Sequence, residues 1–262
     1  MSALRAAIWS EFLKSRRSRV PWVIAGGFSF APLVEALFMV ILKNPERARQ
    51  LGLLGAKAQL AAGTADWPSF LRLLAETVGA AGAVLFAFLT AWVFGREFAD
   101  RTVRNLLAIP TPRWTIVVAK LLVLAIWCGA ISAWIVALGL GVGALVGLPG
   151  GSPTLVLSTL TASAVAAAMC IALQTTTAFV AGVGRGYIPP LGWTVLVMAL
   201  AQVLGVLGWA AWFPWALPLL VVGAAGPDGE IATGTSVAVV VVAALIGLGA
   251  TVVWWQRADQ TG

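Results

Sequence analysis

Long apolar runs alternate with short charged interruptions along this chain, and the interruptions predict its elements. A helix needs some 20 apolar residues to cross a hydrocarbon core of about 30 Å. Six runs meet that length, at about 20–42, 70–95, 114–148, 154–184, 187–208 and 235–255. A further apolar stretch, 209–222, is broken by Pro214 and Pro218. It is too short to cross independently and reads as an outer re-entrant or interfacial hairpin before the last span. Near the start, Leu4, Ile8, Trp9, Phe12 and Leu13 fall on one helical arc, with Ser10, Glu11, Lys14 and Arg17 opposite. Residues 1–19 therefore read as an amphipathic helix in the cytoplasmic interface, with a solvated basic tail as the alternative. A twin-arginine export signal at Arg16-Arg17 does not fit, because Arg19 and Pro21 sit where an apolar run should begin. The predicted fold is an all-α integral membrane protein, one transmembrane domain over 1–262.

Polar and small residues inside the runs refine this picture. Ala75, Gly79 and Ala83, and again Gly139, Gly143 and Gly147, recur every four residues and offer surfaces for close helix approach. Arg72 and Glu76 are four apart and can pair on one face. Gln174, Thr175 and Gln202 are read as interhelical hydrogen-bonding groups. Glu35 and Glu76 lie at comparable depth in the outer half, where carboxylates are candidates for a substrate path.

Composition changes the picture in one direction. Only 10% of the 262 residues are charged, 60% are hydrophobic and the mean hydropathy is +0.95. Soluble domains carry about 25% charged residues, so a water-soluble fold is excluded. The net charge of +7 points to an anionic lipid surface rather than to nucleic acid. Histidine is absent, and Cys128 and Cys170 both lie inside apolar runs, which removes the usual ligands for haem and zinc and any disulfide framework. No G-x-x-x-x-G-K-[ST] run occurs, so no cofactor is expected in this chain and ATP hydrolysis would need another. With six spans, twelve of the 17 Lys and Arg share a side with the termini. The positive-inside rule makes that side cytoplasmic, in a plasma membrane and a prokaryotic setting, and the tryptophans form belts consistent with it.

The stretch from Arg96 to Lys120 is the largest charged interruption between spans. Phe94 to Phe98 continues the second span as helix into the cytoplasm, and Asp100 or Thr102 can cap a short new helix from Val103 to about Ala108, which Pro110 and Pro112 would stop. Spacing alone leaves two readings open, a coupling helix touching a cytoplasmic partner or a solvated loop resting on headgroups.

The pattern Glu97, Thr102, Leu106-Leu107, Pro110, Arg113 and Lys120 resembles the signature between the second and third spans of ABC type 2 exporter permeases. Arg101 stands where that signature usually has glycine. The resemblance implies that Glu97, Thr102, Leu106, Leu107, Pro110 and Arg113, within a loop over 96–113, couple to a separate ATPase that binds ATP and Mg. It also implies that Arg16 and Arg17 help the N-terminal helix dock there, and that a second permease copy or a homologous permease completes the substrate path. Glu97 would then need a basic partner, for which Arg16, Arg17 and Arg113 are the candidates. An ATP-independent transporter or a non-transporting scaffold remains the alternative class, and missing histidines and carboxylate clusters argue against a membrane enzyme.

Overall fold

The computed structural model describes residues 3–44, 50, 64–100, 102, 111–224 and 232–257. They form helices α1 (Ala3–Arg17), α2 (Val20–Leu42), α3 (Trp67–Ala99), α4 (Arg113–Val146), α5 (Pro153–Val183), α6 (Ile188–Val206), α7 (Leu217–Val221) and α8 (Gly234–Arg257), with a 3-10 turn at Ala210–Trp212 before α7. Among the described residues there is no strand, and six helices, α2 to α6 and α8, are long and apolar enough to cross a membrane. One clearly outruns its apolar stretch. At 33 residues α3 is about 50 Å long, well beyond a hydrocarbon core, so its last turns carry Arg96 and Glu97 as helix.

α3 is the central element. Of its most apolar window 67% lies inside the protein, against 22 to 33% for the other five spans. Phe70, Leu74, Val78, Phe86 and Phe94 are fully buried along it. Lipid tails are as apolar as these side chains, so the bundle is held by close packing and interhelical hydrogen bonds rather than by water exclusion. Gly139 and Gly143 of α4 admit α3: a Cβ at Gly139 would stand 2.6 Å from Leu74, and one at Gly143 2.7 Å from Phe70. Gly147, third in that stripe, has a different task, ending α4 at φ +67°. Gly79 receives the backbone of Pro218 from α7, and Gly247 of α8 meets the backbone of α5 at Thr176.

Polar groups join the same helices. The Gln174 amide donates to the Ala83 and Cys170 carbonyls, and its oxygen accepts from Thr90 at 3.1 Å, tying α5 to α3. Thr175 donates to the Ala244 carbonyl at 2.9 Å and Thr251 to the Thr175 carbonyl at 3.1 Å, tying α5 to α8. Gln202 is exposed. Cys128 and Cys170 are buried free thiols.

The segment after α6 is set off from it. The Trp209 amide donates to the Leu204 carbonyl and that of Gly208 to Gly205, with Gly208 at φ +76°, a Schellman stop. A second such stop ends α7 at Gly223. Between them Leu217 is fully buried against α3 and α5, while Trp209 and Trp212 are exposed.

Candidate functional site

Five ionised side chains meet where α1 crosses the ends of α3 and α4. Lys120 lies two turns inside α4 and is wholly buried. An ammonium in that position needs counter-charge, and its Nζ donates to Glu11 Oε2 at 3.1 Å, Glu97 Oε1 at 3.0 Å and the Val93 carbonyl at 3.1 Å. Glu11 comes from α1 and Glu97 from α3, so one lysine ties three helices. Arg96 adds Nη2 to Glu11 Oε2 at 3.0 Å, with its guanidinium 4.5 Å from the Trp92 ring centre. Lys14 reaches Glu11 at 2.7 Å and Glu97 at 3.6 Å. Thr102 closes the set: its hydroxyl donates to Glu97 Oε2 at 2.6 Å and its amide to the Glu97 carbonyl at 2.9 Å.

Three cations thus face two carboxylates. Burial alone would raise the Glu11 carboxyl, but Lys120, Lys14 and Arg96 outweigh it and hold the group below the ordinary 4.5. A carboxyl lowered on folding stabilises the docked α1 fully above its unfolded value, and that contribution fades as pH falls through the folded one. Hydrogen-exchange protection of residues 3–17 is therefore expected to hold from pH 7 down to 4.5 and to decline below it. Glu11→Gln should flatten that profile.

The structure revises the partners of Glu97. They are Lys120, Lys14 and Arg96, not Arg16, Arg17 or Arg113. Arg16 and Arg17 are exposed on α1. Arg113 instead donates to the Trp255 and Gln256 carbonyls at 3.3 and 3.4 Å, capping the end of α8 as a cation suits a helix C-terminus. Leu106, Leu107 and Pro110, with Arg101 and the helix expected from Val103, lie outside the described residues. Glu35 and Glu76 are far along α2 and α3 from this cluster. Glu35 accepts from the Thr77 hydroxyl, its second oxygen has no partner among the described residues, and Glu76 pairs with Arg72 at 3.7 Å.

Glu11 and Ser15 are the buried residues of α1, whereas Ser10, Lys14 and Arg17 of the same polar arc are exposed, as is Trp9. Sequence reasoning placed Glu11 merely opposite the apolar arc and so missed it. The signal that could have found it is Lys120 itself, a lysine two turns into a run of otherwise apolar helix, which demands a carboxylate from elsewhere.

A helical bundle with six candidate spans and a largely buried charge cluster at one end has the build of a multi-pass membrane protein. Comparison with known families makes the class specific. Residues 7–202 match the model of the ABC-2 family transporter proteins, three quarters of the chain, and the protein belongs to that family as a membrane permease component. It is 28% identical over 182 residues to the bacitracin transport permease protein BCRB of Bacillus licheniformis, an alignment covering 68% of this chain and 85% of that one. Permeases of this family are transmembrane subunits without ATPase domains, and they work with an ATPase partner.

Proposed function

We propose that the chain is the membrane-spanning half of an ATP-driven exporter, and that its ion cluster carries force between a separate ATPase and the bundle. In this reading α1 and the loop over 96–113 face the cytoplasm, with Leu106 and Leu107 as apolar anchors on the ATPase and Arg16 and Arg17 beside them. The observation that carries it is the buried contact of Lys120 with both Glu11 and Glu97, which welds α1 to the helix that leads into the loop. A load applied at either place would reach α3 and α4 together. The share of Lys and Arg on that side and the belts of tryptophan support the cytoplasmic assignment.

Two permeases, identical or homologous, would enclose the substrate path, with Glu35 and Glu76 on its outer half and the 209–222 segment as an outer re-entrant hairpin. The exposed apolar faces of α2 and α6, including Val23, Phe30, Val195 and Val206, supply surface for that pairing. Bacitracin, named for the Bacillus relative, is the first cargo to test.

Leu106→Asp with Leu107→Asp should abolish co-purification with the ATPase and lower vanadate-sensitive ATPase activity of the reconstituted pair at least tenfold, because each buried leucine contributes roughly 1.5 to 3 kcal/mol. Unchanged association and export would refute the docking.

A further inference from the structure

The ion cluster holds the end of α3 from one side. Lys120 donates to the Val93 carbonyl and to Glu97, and Arg96 reaches Glu11. Gly95 stands among these residues in sequence, but at 3.6 residues per turn it lies about 200° round the helix from Val93. There the connection between α5 and α6 is seated. A Cβ at Gly95 would stand 2.9 Å from the Gly186 carbonyl oxygen and 2.9 Å from Tyr187 Cδ1. The end of α3 is thus clasped between the cluster and the α5–α6 turn.

This seat has little slack. A side chain could rotate to absorb a small displacement, whereas the Gly186 carbonyl moves only with its turn. The turn is itself stiff: a Cβ at Gly184 would stand 2.4 Å from Pro189, Arg185 holds φ +49° in the left-handed region that L residues avoid, and Pro189 and Pro190 fix the start of α6. What displaces the turn therefore displaces the end of α6. On another side α6 has room. An open groove lies beside its first turns, lined by Val23 and Gly27 of α2, Phe88 and Ala91 of α3, and Leu191 of α6.

We infer, on the exporter reading above, that Gly95 is the pivot through which the end of α3 steers α6. Force entering at the ion cluster passes through the contact of Gly95 with Gly186 and swings the first turns of α6 across the groove, changing the face that α6 offers a second permease. Gly95 is buried, so its role is one of positioning.

The test uses the full-length chain carrying Val23→Cys and Leu191→Cys, on the α2 and α6 walls of the groove, and thiol cross-linkers of graded length. Cys128 and Cys170 are buried and stay silent. In the permease alone, Gly95→Ala wedges the turn away from α3 and should shift the cross-linker length that reacts best. Gly186→Ala is the control, since its methyl group would meet only the Gly184 carbonyl, at 3.9 Å, and should leave that length unchanged. Reconstituted with the ATPase, the parent cysteine pair should change its preferred length on vanadate trapping, and the same pair with Gly95→Ala should not. The ratio of cargo-stimulated to basal ATPase activity should fall at least about fivefold in Gly95→Ala, the lower limit of ordinary coupling between sites. Should Gly95→Ala not fold, Tyr187→Ala, which empties half of the seat, must lower that ratio while the ATPase stays bound. An unchanged ratio in the folded variant, or a Gly186→Ala as damaging as Gly95→Ala, would overturn the pivot. If no ATPase associates, the exporter reading fails, whereas the contact fails only if the preferred length in the permease alone is unmoved.

Discussion

Lys120→Met is expected to loosen α1 from the bundle and to cause the largest loss of stability of any single change to the charged residues. The substitution keeps the apolar volume but leaves Glu11 and Glu97 facing each other, with side chains 4% and 6% exposed. Removing one partner of a buried ion pair costs about 3 to 5 kcal/mol, because the remaining charge is desolvated without compensation. Arg96 and Lys14 remain near and should hold the loss to the lower end of that range. The purified protein's melting temperature in detergent should fall, and limited proteolysis should cut α1 first. Arg72→Met is the control: its pair with Glu76 is 3.7 Å long and partly exposed, and such a pair contributes less than about 1 kcal/mol. Equal melting shifts for the two variants would mean that the cluster does not hold the helices. Glu11→Gln added to Lys120→Met should recover part of the loss, since it neutralises one of the stranded carboxylates.

Gly247→Ala should destabilise the α5–α8 contact more than Gly139→Ala does the α3–α4 contact, although both place a methyl group 2.6 Å from a neighbour. At Gly139 the neighbour is the end of a leucine side chain, which can change rotamer. At Gly247 the methyl meets Thr175 Oγ1 at 2.6 Å and the Thr176 backbone nitrogen at 2.7 Å, and the backbone of a helix cannot step aside alone. The helices must part, which stretches the bonds that Thr175 and Thr251 make across the same contact. Overpacking of this kind costs about 1 to 3 kcal/mol. Gly249→Ala, two residues on with nothing within 4 Å, should be near neutral and serves to separate crowding from helix propensity. A ranking in which Gly249→Ala is as harmful as Gly247→Ala would remove the argument from close approach.

Hydrophobic length made the six helices legible before any coordinates, and for a physical reason: a bilayer imposes one strong length scale on every crossing segment. Helix ends were less legible from hydropathy than from the charged sequence beyond it: the apolar run of α3 stops near Gly95, and the helix, read on to Phe98, ends at Ala99. Hydropathy reports lipid contact and says nothing of helix beyond it. The site was legible in half. Glu97, Thr102 and Lys120 stood in one charged stretch, but the α1 partner lies 109 residues from Lys120. Amphipathicity along one helix cannot distinguish a carboxylate turned to water from one turned to a buried lysine. Arg113 illustrates the same limit, since a cation at a loop end looks free until the end of α8 is placed beside it.

The span of sequence between Glu11 and Lys120 also bears on how the protein is made. Synthesis delivers α1 first, then α2 and α3, and only afterwards the lysine that Glu11 binds. Until α4 has been inserted, Arg96 of α3 can already meet Glu11, but the buried ammonium that joins Glu11 to Glu97 is missing. The full set of contacts that docks α1 therefore closes only when the first three spans have assembled.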